Sequence, residues 1–189
     1  SVLKDSPGAE AGFLIGDRIT SINGKDVGSQ IDPFHLPDFI ESLAGTEVTF
    51  LVKRIVEGSP EPQQVSLKVT PSNASAWLET PISPNTPLAI PSLGIAYHLA
   101  SNVLSVEEGG PAAKAGIQKD DKLKSMTIKL KDPLLVEVMG VSEVKIPFDK
   151  EGQKNMAYAL WQVQQLPGAE IHLTVAGRED KSHAMTAIP

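Results

Sequence analysis

The residues of this chain best suited to chemistry are Ser92-Leu93-Gly94-Ile95, and the chemistry they suit is binding. Glycine lets the backbone approach a ligand closely and turn successive N–H groups toward one point. The amides of Leu93, Gly94 and Ile95 can therefore cradle a carboxylate. The next residues, Ala96-Tyr97-His98-Leu99, read as a strand. Groups for covalent or metal chemistry are scattered by contrast. The four histidines, His35, His98, His172 and His183, stand apart, and none belongs to a His-Glu-x-x-His pair. There is no Gly-x-Ser-x-Gly elbow and no glycine-rich phosphate loop, and the absence of cysteine removes thiolate ligands and disulfides. No catalytic residue and no metal ligand is expected in this segment. His172 alternates with Ile171 and Leu173 and is expected to face solvent from a strand.

Charge narrows the partners. Lys plus Arg number 17 against 23 Asp plus Glu, a formal charge of −6 that argues against nucleic acid or an anionic membrane surface. Between Glu79 and Glu107 the chain carries no formal charge, but Pro81, Pro84, Pro87 and Pro91 make that stretch a poor membrane-spanning helix. It reads as linker plus strand.

The elements that must position the binding loop come from a repeat. Ser6-Pro7-Gly8-Ala9-Glu10-Ala11-Gly12-Phe13 recurs as Gly110-Pro111-Ala112-Ala113-Lys114-Ala115-Gly116-Ile117, with Asp17 and Asp121 at the same offset of 104 residues (111 − 7 and 121 − 17). Each phrase encodes a short helix. Ser6 suits the N-cap and proline the first turn, and Gly12 or Gly116 stops the helix in the left-handed conformation. In copy one Gly16-Asp17 then turns into a strand, and Asn23-Gly24 marks a hairpin. Copy two has Asp120 in place of that glycine and no Asn-Gly.

The second halves also correspond. Leu36, Phe39, Ile40 and Leu43 form one helical face, read as core, and residues 155–166 form its counterpart with Met156, Leu160 and Val163. Alternating strands follow at Val48, Phe50, Val52 and at Ile171, Leu173, Val175, and a last strand closes each copy. The offset here is 123 (168 − 45), so copy two carries 19 extra residues (123 − 104). They fall within about 124–152, where residues 134–139 and 144–148 suggest an extra hairpin around Gly140. Three segments result: a first domain at 1–71, a proline-rich linker at 72–91 and a second domain at 92–189. Trp77 in the linker is expected to tuck against a domain. Copy one lacks the leading strand that 92–99 would give copy two, and the chain reads as a piece of something longer.

The capped Ser-Pro-x-x-x-Ala-Gly helix, Gly-Asp turn and Ser-Ile-Asn-Gly hairpin, followed by a helix and two strands, resemble a PDZ domain. The order, with the Leu-Gly-Ile loop in front, is similar to the circularly permuted bacterial form. The resemblance covers nearly the whole chain as a tandem pair. It implies an α+β, mainly β fold: two small, partly open β-barrels or sandwiches with two helices each. It also implies a groove for extended peptide. In the second domain one wall would be Leu93, Gly94, Ile95, Ala96, Tyr97 and His98. The other would be Met156, Leu160, Trp161 and Gln164 on the helix at 155–166. Tyr97 and Trp161 suit exposed contact, having an apolar body and a polar handle.

A tandem pair whose proline-containing linker runs into a Leu-Gly-Ile loop further resembles the extracytoplasmic insert of site-2 proteases, which are intramembrane zinc metalloproteases. That resemblance implies a non-catalytic periplasmic segment of an inner-membrane protein that binds or filters unfolded or C-terminal protein segments beside a transmembrane protease domain. Zinc would be expected in the parent and no cofactor in this segment. Two alternatives remain open at this point: the PDZ tail of a periplasmic trypsin-like serine protease, and a non-enzymatic scaffold.

Overall fold

The computed structural model of the chain describes residues 1–74, 80–148, 154–166, 168–176 and 182–186. The chain divides into two compact units. Unit 1 is Ser1–Glu79 with Pro87–Tyr97, and unit 2 is Thr80–Thr86 with His98–Pro189. Both are mainly β with short helices, in antiparallel sheets that close no barrel among the described residues.

In unit 1, helix α1 (Pro7–Glu10) begins where the Ser6 hydroxyl oxygen accepts the Ala9 N–H at 3.2 Å, and Gly12 at φ +88° ends it. The Asp17 carboxylate accepts the Leu14 N–H at 2.9 Å, shaping the turn through Gly16 into β1 (Arg18–Ile22). Asn23 and Gly24, at φ +49° and +77°, link β1 to β2 (Lys25–Asp26), as a two-residue hairpin of that type requires. A 3-10 turn at Pro33–His35 leads into α2 (Leu36–Glu41), followed by β3 (Val48–Arg54) and β4 (Gln63–Val69). The sheet order is β2-β1-β3-β4. A separate hairpin, β5 (Leu88–Ile90) and β6 (Ile95–Tyr97), completes the unit, and Val2 bridges to Ile95. The core gathers Ile22, Leu36, Ile40 and Phe50 with Ile90 and Leu93 from the hairpin. Phe13 meets Phe50 edge-on, at 5.2 Å between ring centroids.

Unit 2 repeats this plan. It contains α3 (Pro111–Lys114), β7 (Leu123–Lys129), α4 (Pro133–Met139), β8 (Glu143–Pro147), α5 (Met156–Gln165), β9 (Glu170–Val175) and β10 (Ser182–Thr186). Its sheet order, β10-β9-β7-β8, mirrors β4-β3-β1-β2. The register shifts between Ile19 and Ser21 in β1 and between Leu123 and Ser125 in β7, positions that the offset of 104 makes equivalent. Asp120 adopts φ +69° where Gly16 adopts +97°, so the turn survives the residue change. A short polar side chain tolerates the left-handed region better than most.

Three expectations need correction. The apolar run at 134–139 is a helix, not a strand of an extra hairpin. Asp132 accepts the Leu134 N–H at 2.9 Å, Pro133 opens the first turn, and Gly140 at φ +68° closes the last. These are helix start and stop signals around a run whose composition alone permits either state. The proline-rich linker expected at 72–91 is divided between the units, with 88–90 forming β5 in unit 1 and 80–86 belonging to unit 2. Ser72 N–H donates to the Ser92 carbonyl in unit 1 at 2.8 Å. In unit 2, Asn85 N–H donates to the Asn155 side chain at 2.9 Å and Asn85 accepts from the Lys154 N–H at 2.8 Å. Trp77 lies outside the described residues. Finally, residues 92–97, expected to open the second domain, complete the first.

Candidate functional site

The loop at 91–94 is the centre of the candidate site. Ser92 and Leu93 are fully buried, and the Leu93 and Gly94 N–H groups both donate to the Ile90 carbonyl, each at 3.0 Å. These are the bonds of a tight turn, and the Gly94 N–H is shared with the Pro91 carbonyl, also at 3.0 Å. The outer face of the loop docks on the first turn of α1. Gly8 N–H donates to the Leu93 carbonyl and Leu3 N–H to the Gly94 carbonyl, both at 2.8 Å. The approach is close enough to demand two glycines. A Cβ on Gly94, itself at φ +67°, would lie 2.3 Å from the Ser6 Cβ, and one on Gly8 would lie 2.7 Å from the Leu93 oxygen.

Strand β6 leaves this loop with a partner on each side. Toward the N-terminal segment, Ser1 N donates to the Ala96 carbonyl at 2.7 Å and Ala96 N–H returns to the Ser1 carbonyl at 2.9 Å. On its other side β6 pairs antiparallel with β5, with Leu88 opposite Tyr97, Ala89 opposite Ala96 and Ile90 opposite Ile95. Strand β5 in turn packs against α2, with Leu88 and Ile90 buried. The Tyr97 hydroxyl donates to the Pro33 carbonyl at 2.8 Å, tying β6 to the turn that starts α2. Burial, followed by the carboxylates of Asp32 and Asp38, pushes the Tyr97 phenol well above its ordinary pKa. It therefore stays neutral and keeps its proton to donate.

The two walls expected from the sequence belong to different units. Leu93, Gly94, Ile95, Ala96 and Tyr97 lie together in unit 1, whereas His98 begins the long segment of unit 2. Partial burial and the Lys154 charge lower the His98 pKa. Met156, Leu160, Trp161 and Gln164 sit on α5 in unit 2. There Met156 and Val163 pack on the core around Ala159, Leu160 and Gln164 are exposed, and Trp161 is half-buried beside Tyr158. In unit 1 the helix facing the hairpin is α2, whose Leu36 and Ile40 are core, as expected.

The close approach at Gly8 marks one difference between the two units. The counterpart of Gly8 in copy two is Ala112, which packs on the unit 2 core.

Arg54 stiffens the helix that carries the loop. Its guanidinium donates to both Asp17 oxygens at 2.7 Å and to the Gly12 carbonyl at 2.8 Å. Burial works to raise the Asp17 pKa, but the Arg54 hydrogen bonds, the Leu14 N–H and the Arg54 charge outweigh it and hold the carboxyl below its ordinary value. The histidines serve locally. His35 pairs with Asp32 on the surface at 2.9 Å, and His172 pairs with Glu170. His172 is on the face opposite Ile171 and Leu173 but only 16% exposed, more covered than strand alternation alone suggests. Among the described residues no three His, Cys, Asp or Glu side chains are grouped to hold a metal ion. None of the described helices is long and apolar enough to cross a membrane.

The β5–β6 hairpin beside α2 is the candidate site, and comparison with known proteins bears on what such a site does. A PDZ domain is present: residues 1–54 match the family described as PDZ domain. Over 128 residues the chain is 36% identical to the periplasmic pH-dependent serine endoprotease DegQ of Escherichia coli strain K12, a match covering 64% of this chain and 26% of that protein. The chain thus spans about a quarter of the length of this curated relative. PDZ domains bind peptide or protein segments by adding them as a strand to a sheet edge.

Proposed function

We propose that this chain is a non-catalytic recognition segment of an extracytoplasmic protease, and that unit 1 takes extended protein segments by strand addition to β6, opposite α2. The observation that carries this reading is the pairing of β6 with an extended strand beside α2, with the Leu93 and Gly94 N–H groups turned onto the Ile90 carbonyl where the two strands meet. A terminal carboxylate in that position would accept both bonds and gain charge-assisted strength. Leu36 and Ile40 of α2 share a core with Ile90, so side chains at alternate ligand positions would meet apolar neighbours while the main chain pairs with β6.

The nature of the parent separates two readings. The tandem repeat and the Leu-Gly-Ile loop motivate a membrane-embedded site-2 zinc metalloprotease, with this segment filtering its substrates from the periplasmic side. The 36% identity to a periplasmic serine endoprotease motivates a soluble parent instead. The flanking sequence separates them: a His-Glu-x-x-His in an apolar helix supports the first, a trypsin-like domain the second.

Binding itself is tested by titrating fluorescein-labelled peptides that end in a branched apolar residue, as free acids and as C-terminal amides. Carboxylate capture predicts at least tenfold tighter binding of the acid. Equal affinities would remove the carboxylate from the reading and leave strand addition alone.

A further inference from the structure

We infer that β5 is a ligand held in cis: residues 88–90 occupy the groove of unit 1 as an incoming segment would, and partners must resemble and displace them. This rests on the strand-addition reading above. Three features of β5 match the geometry of a bound peptide. It runs antiparallel to β6, with its C-terminal residue Ile90 opposite Ile95 at the loop end of the strand. It lies between β6 and α2, with Leu88 and Ile90 buried at alternate positions. Its last carbonyl, that of Ile90, accepts the Leu93 and Gly94 N–H groups, the latter shared with the Pro91 carbonyl, so an incoming segment would have to replace these turn bonds.

The partner's chemistry follows. It is an extended segment with a branched apolar residue at its last groove position and a second apolar residue two positions earlier, after Ile90 and Leu88. A free C-terminus is not required, because the chain continues from Ile90 through Pro91 and the cradle is still filled. A tethered occupant has a high effective concentration, in the millimolar range for short links, so it imposes a threshold that weak ligands fail to cross. Unit 1 is then gated by its own strand.

The chain lacks cysteine, which permits a clean test. The N–H and C=O of Ala96 both face Ser1, so Ala89 and Ala96 form a pair that is not hydrogen-bonded to each other. Such pairs sit about 4.5 Å apart at Cα, within disulfide reach. In the A89C/A96C protein oxidation should lock β5 onto β6 and reduction should release it. The probe is labelled Thr-Pro-Leu-Ala-Ile, the sequence of residues 86–90, compared with Thr-Pro-Asp-Ala-Asp. We expect L88S/I90S, whose cis strand is weakened, to bind the probe at least tenfold more tightly than the unmodified chain. The oxidised staple should bind at least tenfold more weakly than its reduced form, and the Asp peptide should bind none of them. Equal binding by the oxidised and reduced staples would overturn the cis ligand while leaving strand addition at another edge. If neither L88S/I90S nor the reduced staple binds the probe up to millimolar concentration, strand addition fails and the cis ligand with it. Should L88S/I90S not fold, the oxidised and reduced staples decide alone.

Discussion

Helices α1 and α3 grow from the same phrase and end at glycines with nearly the same φ, +88° and +84°, yet they differ in what meets their first turn. On α1 a second segment arrives: Gly8 N–H donates to Leu93, and the space a methyl would need is taken by that carbonyl. On α3 Ala112 turns its methyl into the unit's own core. One carbon atom thus separates a helix that receives a loop from one that packs for itself. A duplicated domain can thus keep its sheet order and its register shift while the first turn of one helix diverges.

The largest expected effect concerns the clamp that holds α1. Arg54→Ala leaves the buried Asp17 carboxylate unpaired and frees the Gly12 carbonyl, and should cost unit 1 about 3 kcal/mol by denaturant unfolding. The pH dependence carries a definite sign. Asp17 has a depressed folded pKa, so its contribution is complete above the ordinary aspartate value of about 3.9 and fades as pH falls through the lower folded value. Arg54→Ala should therefore flatten the acid limb of the stability profile; an unchanged limb would show that Asp17 does not govern it.

Next comes the exchange at the compared position. Gly8→Ala should cost about 2 kcal/mol through overpacking and speed amide exchange at residues 93–97. Ala112→Gly should cost about 1 kcal/mol, mainly in backbone entropy, and leave those amides alone. If the two substitutions disturb residues 93–97 equally, the contrast between the helices is lost. The smallest effect belongs to the other point of divergence, the link between the first two sheet strands of each unit. Asn23-Gly24 makes it in unit 1, whereas unit 2 inserts α4, whose Val138 is 84% exposed. Val138→Ser should change stability by less than about 0.5 kcal/mol in the same unfolding experiment.

Much of this was legible in the residues themselves. Ser6, Pro7 and Gly12 specify α1, Asn23-Gly24 specifies its hairpin, and alternation at Val48, Phe50 and Val52 marks a strand buried on one face. Each signal acts within a few residues, through a cap, a φ angle or the two-residue period of a strand. The run at 134–139 was legible too, had Asp132-Pro133 and Gly140 been weighed above its branched side chains. The face of α5 was less so. Its spacing fits Leu160 as well as Ala159 into a core stripe, and packing chose the smaller residue.

Local chemistry therefore settles the elements, the repeat and the amides able to hold an oxygen. It does not settle ownership of the Leu-Gly-Ile loop, because a short apolar hairpin pairs with whichever edge admits it, and that is a question of shape across 85 residues of chain (93 − 8). Gly8 leaves room for the Leu93 carbonyl, Val2 bridges to Ile95, and α2 packs on β5. Assembled in three dimensions, the loop closes on unit 1, and the strand before it fills the groove that the loop was built to form.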